Sequence, residues 1–166
     1  VLVDANELNW LVKLRKKAAP LPYVIDVDSW AIGKWKATVI MPSIQDPHAT
    51  VFDEGSDWFS WAVVTFQLFT GIHPYKGVLE GYTKGDMKKR MKDNASVFNP
   101  KVKLNHAVRD FSLIPSGLLE WYKAVFENGK RNAPPVDFYA LSAKAMVPLG
   151  VNRSITSVAG KLSYTK

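Results

Sequence analysis

Ser56-Asp57-Trp58-Phe59-Ser60-Trp61-Ala62-Val63-Val64-Thr65-Phe66-Gln67-Leu68-Phe69-Thr70-Gly71 is the stretch from which the architecture follows. Nine of the residues from 58 to 69 are apolar, and they fall on every side of a helical period rather than on one stripe. That distribution predicts a helix lying inside the domain, not on its surface. Ser56 or Asp57 reads as its N-cap and Gly71 as its stop, which bounds the helix at Asp57–Thr70. A helix of this length falls short of the roughly 20 residues of a membrane span.

Downstream, Ile72-His73-Pro74-Tyr75-Lys76-Gly77 reads as a turn. Asp86 to Asp93 reads as a short amphipathic helix with Met87 and Met91 one turn apart. Ser116 reads as the cap of a further helix carrying Leu118, Leu119, Tyr122, Val125 and Phe126, which Gly129 ends. Pro134-Pro135 precedes a last helix expected near Val136 to Met146. Beyond Pro148 the chain turns polar, and residues 148–166 read as a linker or the start of a following domain. Upstream, residues 30–56 lack helical periodicity and read as an extended loop. Trp10-Leu11-Val12 and Tyr23-Val24-Ile25 read as two short strands of a hairpin, joined by the basic connector Lys13 to Pro22.

Composition narrows the classes. The chain has 166 residues, 47% hydrophobic and 12% aromatic, enough for one domain with a real core and against a disordered or collagen-like polymer. It has no cysteine, which removes disulfide frameworks, thiolate zinc sites and cysteine nucleophiles. A cytoplasmic setting is the expectation, with no membrane segment and no signal-peptide pattern at the start. Twenty-two Lys and Arg against fifteen Asp and Glu give a net charge of +7. The basic runs Arg15-Lys16-Lys17 and Lys84 to Lys92 read first as a solvated loop and a solvated helix face. A phosphate-contacting surface for nucleic acid is the alternative, but aromatics do not interleave with the runs as a single-strand stacking platform requires.

Acidic and amide groups gather where the two strands begin and end. Asp4 and Asn9 share one loop, and Asp26 and Asp28 follow the second strand, so a hairpin would bring the two loops together. Carboxylates with an amide oxygen suit Mg²⁺, which takes few protein ligands and completes its shell with phosphates and water. A carboxylate left off the metal can orient a hydroxyl and accept its proton. The competing reading is that these are turn-forming residues at strand ends. His48, His73 and His106 share no metal spacing and read as turn or surface histidines.

The order of these motifs resembles the C-terminal lobe of the protein kinase fold, over about residues 2–146. Asp4-Ala5-Asn6-Glu7-Leu8-Asn9 matches the Asp-x-x-x-x-Asn catalytic loop. Tyr23 to Ser29, with Asp26-Val27-Asp28-Ser29, is similar to the strand and metal-binding Asp of the Asp-Phe-Gly segment, in the Asp-x-Asp-Ser form of divergent bacterial and phage kinase-like proteins. Met41-Pro42-Ser43 falls where Ala-Pro-Glu closes the activation segment. Ser56 to Ala62 resembles the start of the lobe's central helix, and Thr70-Gly71-Ile72-His73-Pro74-Tyr75 the turn after it. Arg131 falls where the family has an Arg near its last helices.

The resemblance implies a mainly α fold over residues 1–147, a helical lobe with a short β-hairpin and no small lobe. It implies Asp4 as catalytic base, Asn9 and Asp26 as groups binding Mg²⁺ and its nucleotide, and Asp28 as an additional metal ligand or a group behind the metal ligands. ATP and Mg²⁺ are the implied cofactors, with a protein Ser/Thr substrate or a protein docking partner. Asp57 is implied to be structural, holding the catalytic-loop backbone from the buried helix. Departures accompany these matches. Leu2-Val3 replace His-Arg, Asn6 replaces a Lys, Ala62 replaces the helix Gly, and Ser43 replaces the Glu expected to pair with Arg131. No Gly-x-Gly-x-x-Gly occurs in the chain, and no Val-Ala-x-Lys strand stands ahead of the catalytic-loop motif. The resulting expectation is a kinase lobe cut at its own active site and inactive by itself, belonging to an active transferase or to a pseudokinase scaffold.

Overall fold

The computed structural model describes residues 1–136 apart from 17, 35, 38 and 39. Among them are three α-helices and one two-stranded antiparallel sheet, so this part of the chain is mixed and mainly helical. The strands are β1 (Trp10–Lys13) and β2 (Leu21–Val24), and the helices are α1 (Glu54–Thr70), α2 (Met87–Lys92) and α3 (Ser116–Phe126). The helix expected near Val136–Met146 and the polar tail fall almost wholly outside the described residues.

Helix α1 starts a turn earlier than its apolar run suggests. Asp53 is the N-cap, accepting from Ser56 N at 2.8 Å, while Ser56 Oγ accepts from Asp53 N at 2.9 Å. This reciprocal box satisfies two of the N–H groups that a helix start leaves open. Ser56 and Asp57 are therefore helical residues, and the Asp57 carboxylate is free for another task. Gly71 ends the helix as expected, at φ 77°, with its N–H on Gln67 O at 2.8 Å.

α1 runs through the core as its composition demands. Phe59, Ala62, Val63 and Phe66 are fully buried, and Leu68, near its C-terminal end, is the exposed exception at 67%. The Phe66 ring meets Phe98, Phe111, Tyr122 and Phe126 edge-on with centroids 5.4 to 5.7 Å apart. Such geometry sets the positive edge of one ring against the negative face of another. α3 supplies Leu118, Trp121, Tyr122, Val125 and Phe126 to the same core. Its N-cap is Pro115, and Ser116 is the first helical residue instead of the cap. The Tyr122 hydroxyl sits 2.8 Å from Thr65 Oγ1, so the one polar atom of that buried ring has a partner on α1.

The hairpin pairs Trp10 with Val24 and Lys13 with Leu21. β2 thus begins two residues before the Tyr23 to Ile25 apolar run and ends one residue short of its end, which leaves Ile25 at the exit of the strand. The segment from Trp30 to Asp53 contains no helix among its described residues, in keeping with its prolines and lack of periodicity. It is nevertheless well tied down, and those ties shape the site.

Candidate active site

Loop 4–9 folds on itself through amide groups. Asn6 Oδ1 accepts from Leu8 N at 2.8 Å, capping a single 3-10 turn at Glu7–Asn9. Asn9 is buried and donates from Nδ2 to Asp4 O at 2.8 Å. That bond turns its Oδ1 the other way, with no protein partner among the described residues. The Asp4 carboxylate is clamped on both oxygens. Oδ2 accepts from Asn6 Nδ2 at 3.0 Å, and Oδ1 accepts from Met41 N at 2.9 Å. Asn6, where the resembled motif has Lys, therefore contributes a neutral donor that orients Asp4.

Ahead of Asp4 the backbone takes a costly turn. Val3 is buried with φ 60°, a value that β-branched residues avoid. Its N–H donates to Asp57 Oδ1 at 2.9 Å, and Leu2 N donates to Asp57 Oδ2 at 2.7 Å. One carboxylate from the first turn of α1 thus holds two successive amides and with them the left-handed residue. Strain of this kind costs about 1–3 kcal/mol and persists only where the surroundings over-determine it. A second non-glycine outlier is Asp26, at φ 64° and ψ 63°. Ser29 fixes it, donating from both N (3.2 Å) and Oγ (2.7 Å) to Asp26 O.

The hairpin joins the two acidic loops as its sequence suggests. Ile25 N donates to Asn9 O at 2.9 Å, so the residue preceding Asp26 is hydrogen-bonded to the backbone of Asn9. Asp26 and Asp28 are exposed, Asp28 within the 3-10 turn Val27–Ser29. Neither carboxylate has a protein partner among the described residues. No group of three or more His, Cys, Asp or Glu side chains suited to a metal occurs there either. The Asn9 amide oxygen and the Asp26 carboxylate, on loops joined by the Ile25–Asn9 bond, are a sparse donor set, of the sort Mg²⁺ accepts when phosphates complete its shell.

The far wall is the segment Met41 to Asp46. Besides Met41 N on Asp4, Ile44 O accepts from Ser60 Oγ at 2.8 Å and Ser43 O sits 2.8 Å from His73 Nε2. Asp46 pairs with Arg131 through Nε–Oδ2 and through Nη2–Oδ1 at 2.9 Å. Ser43, in place of the expected Glu, makes no pair with Arg131; Asp46, three residues further on, supplies the carboxylate instead. Gln45-Asp46-Pro47 has the composition of a turn and carries no local sign of this pairing.

His73 lies in the turn, as expected, and is buried there, unlike exposed His48 and His106. Its Nδ1 accepts from Tyr75 N at 3.1 Å, which fixes the neutral ring with its proton on Nε2, toward Ser43 O. Burial lowers its pKa to about 4, with smaller contributions from Lys76 and Arg90, against an opposing contribution from the Ser43 bond. Protonation would set an N–H against the Tyr75 N–H. Between about 4 and 6.5 the unfolded chain binds the proton that the folded chain refuses, so stability falls as pH drops through that window. The expected loss is on the order of 3 kcal/mol at about 1.4 kcal/mol per pH unit. Urea midpoints from pH 7 to 4 check it: the wild-type slope should exceed that of His73→Gln, and equal slopes would show that His73 does not titrate in this way.

The chain matches no known family model, no curated protein and no solved structure.

Proposed function

We propose that this chain supplies the catalytic loop, metal-binding segment and substrate lobe of a protein-kinase-like phosphotransferase, acting on Ser or Thr hydroxyls of a protein with Mg²⁺ and ATP. The observation that carries the reading is the Asp57 carboxylate spanning Leu2 N and Val3 N. A helix-borne anion that holds a strained turn, one residue before a doubly clamped carboxylate, serves presentation of that carboxylate more than stability.

In this reading Asp4 aligns the attacking hydroxyl and takes its proton. Each of its oxygens keeps a lone pair beyond the bonds to Asn6 and Met41, so it can accept the hydroxyl without losing its position. Asn9 and Asp26 are the residues that would hold Mg²⁺, with Asp28 within the same exposed turn, and the ion, when bound, supplies neutralisation of phosphate charge. Asn6 adds no positive charge, so charge stabilisation near Asp4 falls to the metal side. Rate enhancement then comes from positioning and electrostatics.

The test is transfer of radiolabel from γ-labelled ATP to a protein acceptor, in the longest polypeptide that contains this sequence. Asp4→Asn should lower the rate by about 10²–10⁴-fold, the usual contribution of a general base. Asp26→Asn should raise the Mg²⁺ requirement. Label transfer that survives both substitutions would end the reading. Retained biological activity without any ATP turnover would favour the scaffold.

A further inference from the structure

Away from Asp4, the turn after α1 and helix α2 enclose a cavity of about 520 Å³. This is a volume typical of ligand sites. Tyr75, Val78 and Met87 give it apolar walls, while Lys76, Lys84 and Arg90 are its charged lining, with no Asp or Glu. Lys84 and Arg90 belong to the run that reads from sequence as a solvated face, and Arg90 departs from that reading. It is only 2% exposed. Its Nη1 donates to Lys76 O at 3.0 Å and Gly77 O at 2.9 Å, and its Nε donates to Ala95 O at 3.0 Å.

Three carbonyls hold the guanidinium but do not neutralise it. Nη2 is buried with no partner, and desolvation works against the charge. An unpaired charged donor in a wall is costly, by far more than a neutral one. The carboxylates that flank α2 are already engaged: Asp86 Oδ2 accepts from Thr83 N at 2.7 Å and Thr83 Oγ1 at 3.0 Å, and Asp93 Oδ2 accepts from the Tyr82 hydroxyl at 2.9 Å. The cavity therefore combines an excess of positive charge with apolar surface.

We infer that this cavity binds an acidic peptide, seating a Glu or Asp carboxylate among Lys76, Lys84 and Arg90 and a neighbouring apolar side chain against Tyr75, Val78 and Met87. The carboxylate offsets the charge of the Arg90 guanidinium, which the three carbonyls leave unneutralised, and pairs with Lys76 and Lys84 in charge-assisted bonds. The apolar neighbour accounts for walls that a small inorganic anion would leave unfilled. Binding here needs neither nucleotide nor Asp4, so this inference and the phosphoryl-transfer reading fail independently.

The test uses the whole chain and fluorescence anisotropy with a labelled dodecapeptide of alternating Leu and Glu, beside the same peptide with Gln for Glu. The Glu peptide should bind at least tenfold more tightly. Lys76→Ala with Lys84→Ala should lower its affinity at least tenfold without altering the thermal midpoint. Arg90 is spared because its carbonyl bonds support the fold. Lys13→Ala with Lys16→Ala removes the same charge from the hairpin connector and should change affinity less than twofold. Asp4→Asn should bind as the wild type does. Equal affinity for the two peptides, or equal losses in the two lysine double variants, would overturn the inference, the latter by showing attraction to net charge alone.

Discussion

Arg131→Ala should lower the unfolding free energy by about 3–5 kcal/mol, the range found when one partner of a buried ion pair is removed. The magnitude follows from what is left behind. The Asp46 side chain is 3% exposed, and without the guanidinium fork it keeps a bond from His48 N at 3.0 Å, on one oxygen only. The Arg131 side chain also covers the Phe59 ring with its cationic carbon 4.6 Å from the centroid, and donates from Nη1 to Val125 O at 3.1 Å. Arg131 thus joins the end of α3, the middle of α1 and the 41–46 segment in one contact. Arg131→Lys keeps the charge but not the two-pronged geometry, and should recover less than half of the loss. Urea denaturation followed by circular dichroism measures both, and Asp46→Asn with the double variant closes a cycle that isolates the pair. A loss below about 1 kcal/mol for Arg131→Ala would mean that the pair behaves as a solvent-screened surface bridge.

The second large effect belongs to Asp57. Asp57→Ala removes the acceptor of two amides, each worth about 1.5–3 kcal/mol when the partner is charged, and frees a valine from a conformation it does not favour. The loss should be concentrated in residues 1–9, because the capping box at Asp53 and Ser56 keeps the helix start intact. Hydrogen exchange should show Leu2 and Val3 unprotected in the variant while amides within α1 keep their protection. In a transfer-competent polypeptide, the rate should fall by about 10²-fold or more, since displacing a catalytic group by about 1 Å has that consequence. Asp57→Asn keeps one acceptor but turns an amide N–H toward a backbone N–H, so it should rescue only part. Unchanged exchange at Leu2 and Val3 would show that the turn holds itself.

Periodicity carried much of the architecture. The residues that make α1 internal are legible from their spacing alone, as are its glycine stop and the two strands that bring Asn9 and Ile25 together. The failures share one cause. The start of α1, the partner of Arg131 and the burial of His73 and Arg90 all depend on polar contacts between residues whose local sequence looks like a turn or a solvated face. Asp53-x-x-Ser56 is a capping signal and was available, but it competes with Ser56 and Asp57, which are equally good caps in isolation. Nothing in Gln45-Asp46-Pro47 announces an arginine 85 residues away. Asp86, four residues before Arg90, offers a counter-charge by spacing, and only the chain's three-dimensional path reveals Asp86 bonded to Thr83 and Arg90 facing carbonyls.

The two sides of the candidate site are built with different mechanical compliance. Asp4 stands on a mount braced by α1 through Asp57, by Asn6 and Asn9 within its own loop, and by Met41 from a segment itself secured to Ser60, His73 and Arg131. Asp26 hangs from a hairpin whose residues Leu11, Val12, Leu21 and Tyr23 are between 38 and 57% exposed. A two-stranded ribbon without a covered face is marginal by itself. The Asp4 carboxylate is thus stiff and its acidic neighbours are soft, so any ligand held jointly by Asn9 and Asp26 must supply rigidity as well as take hold.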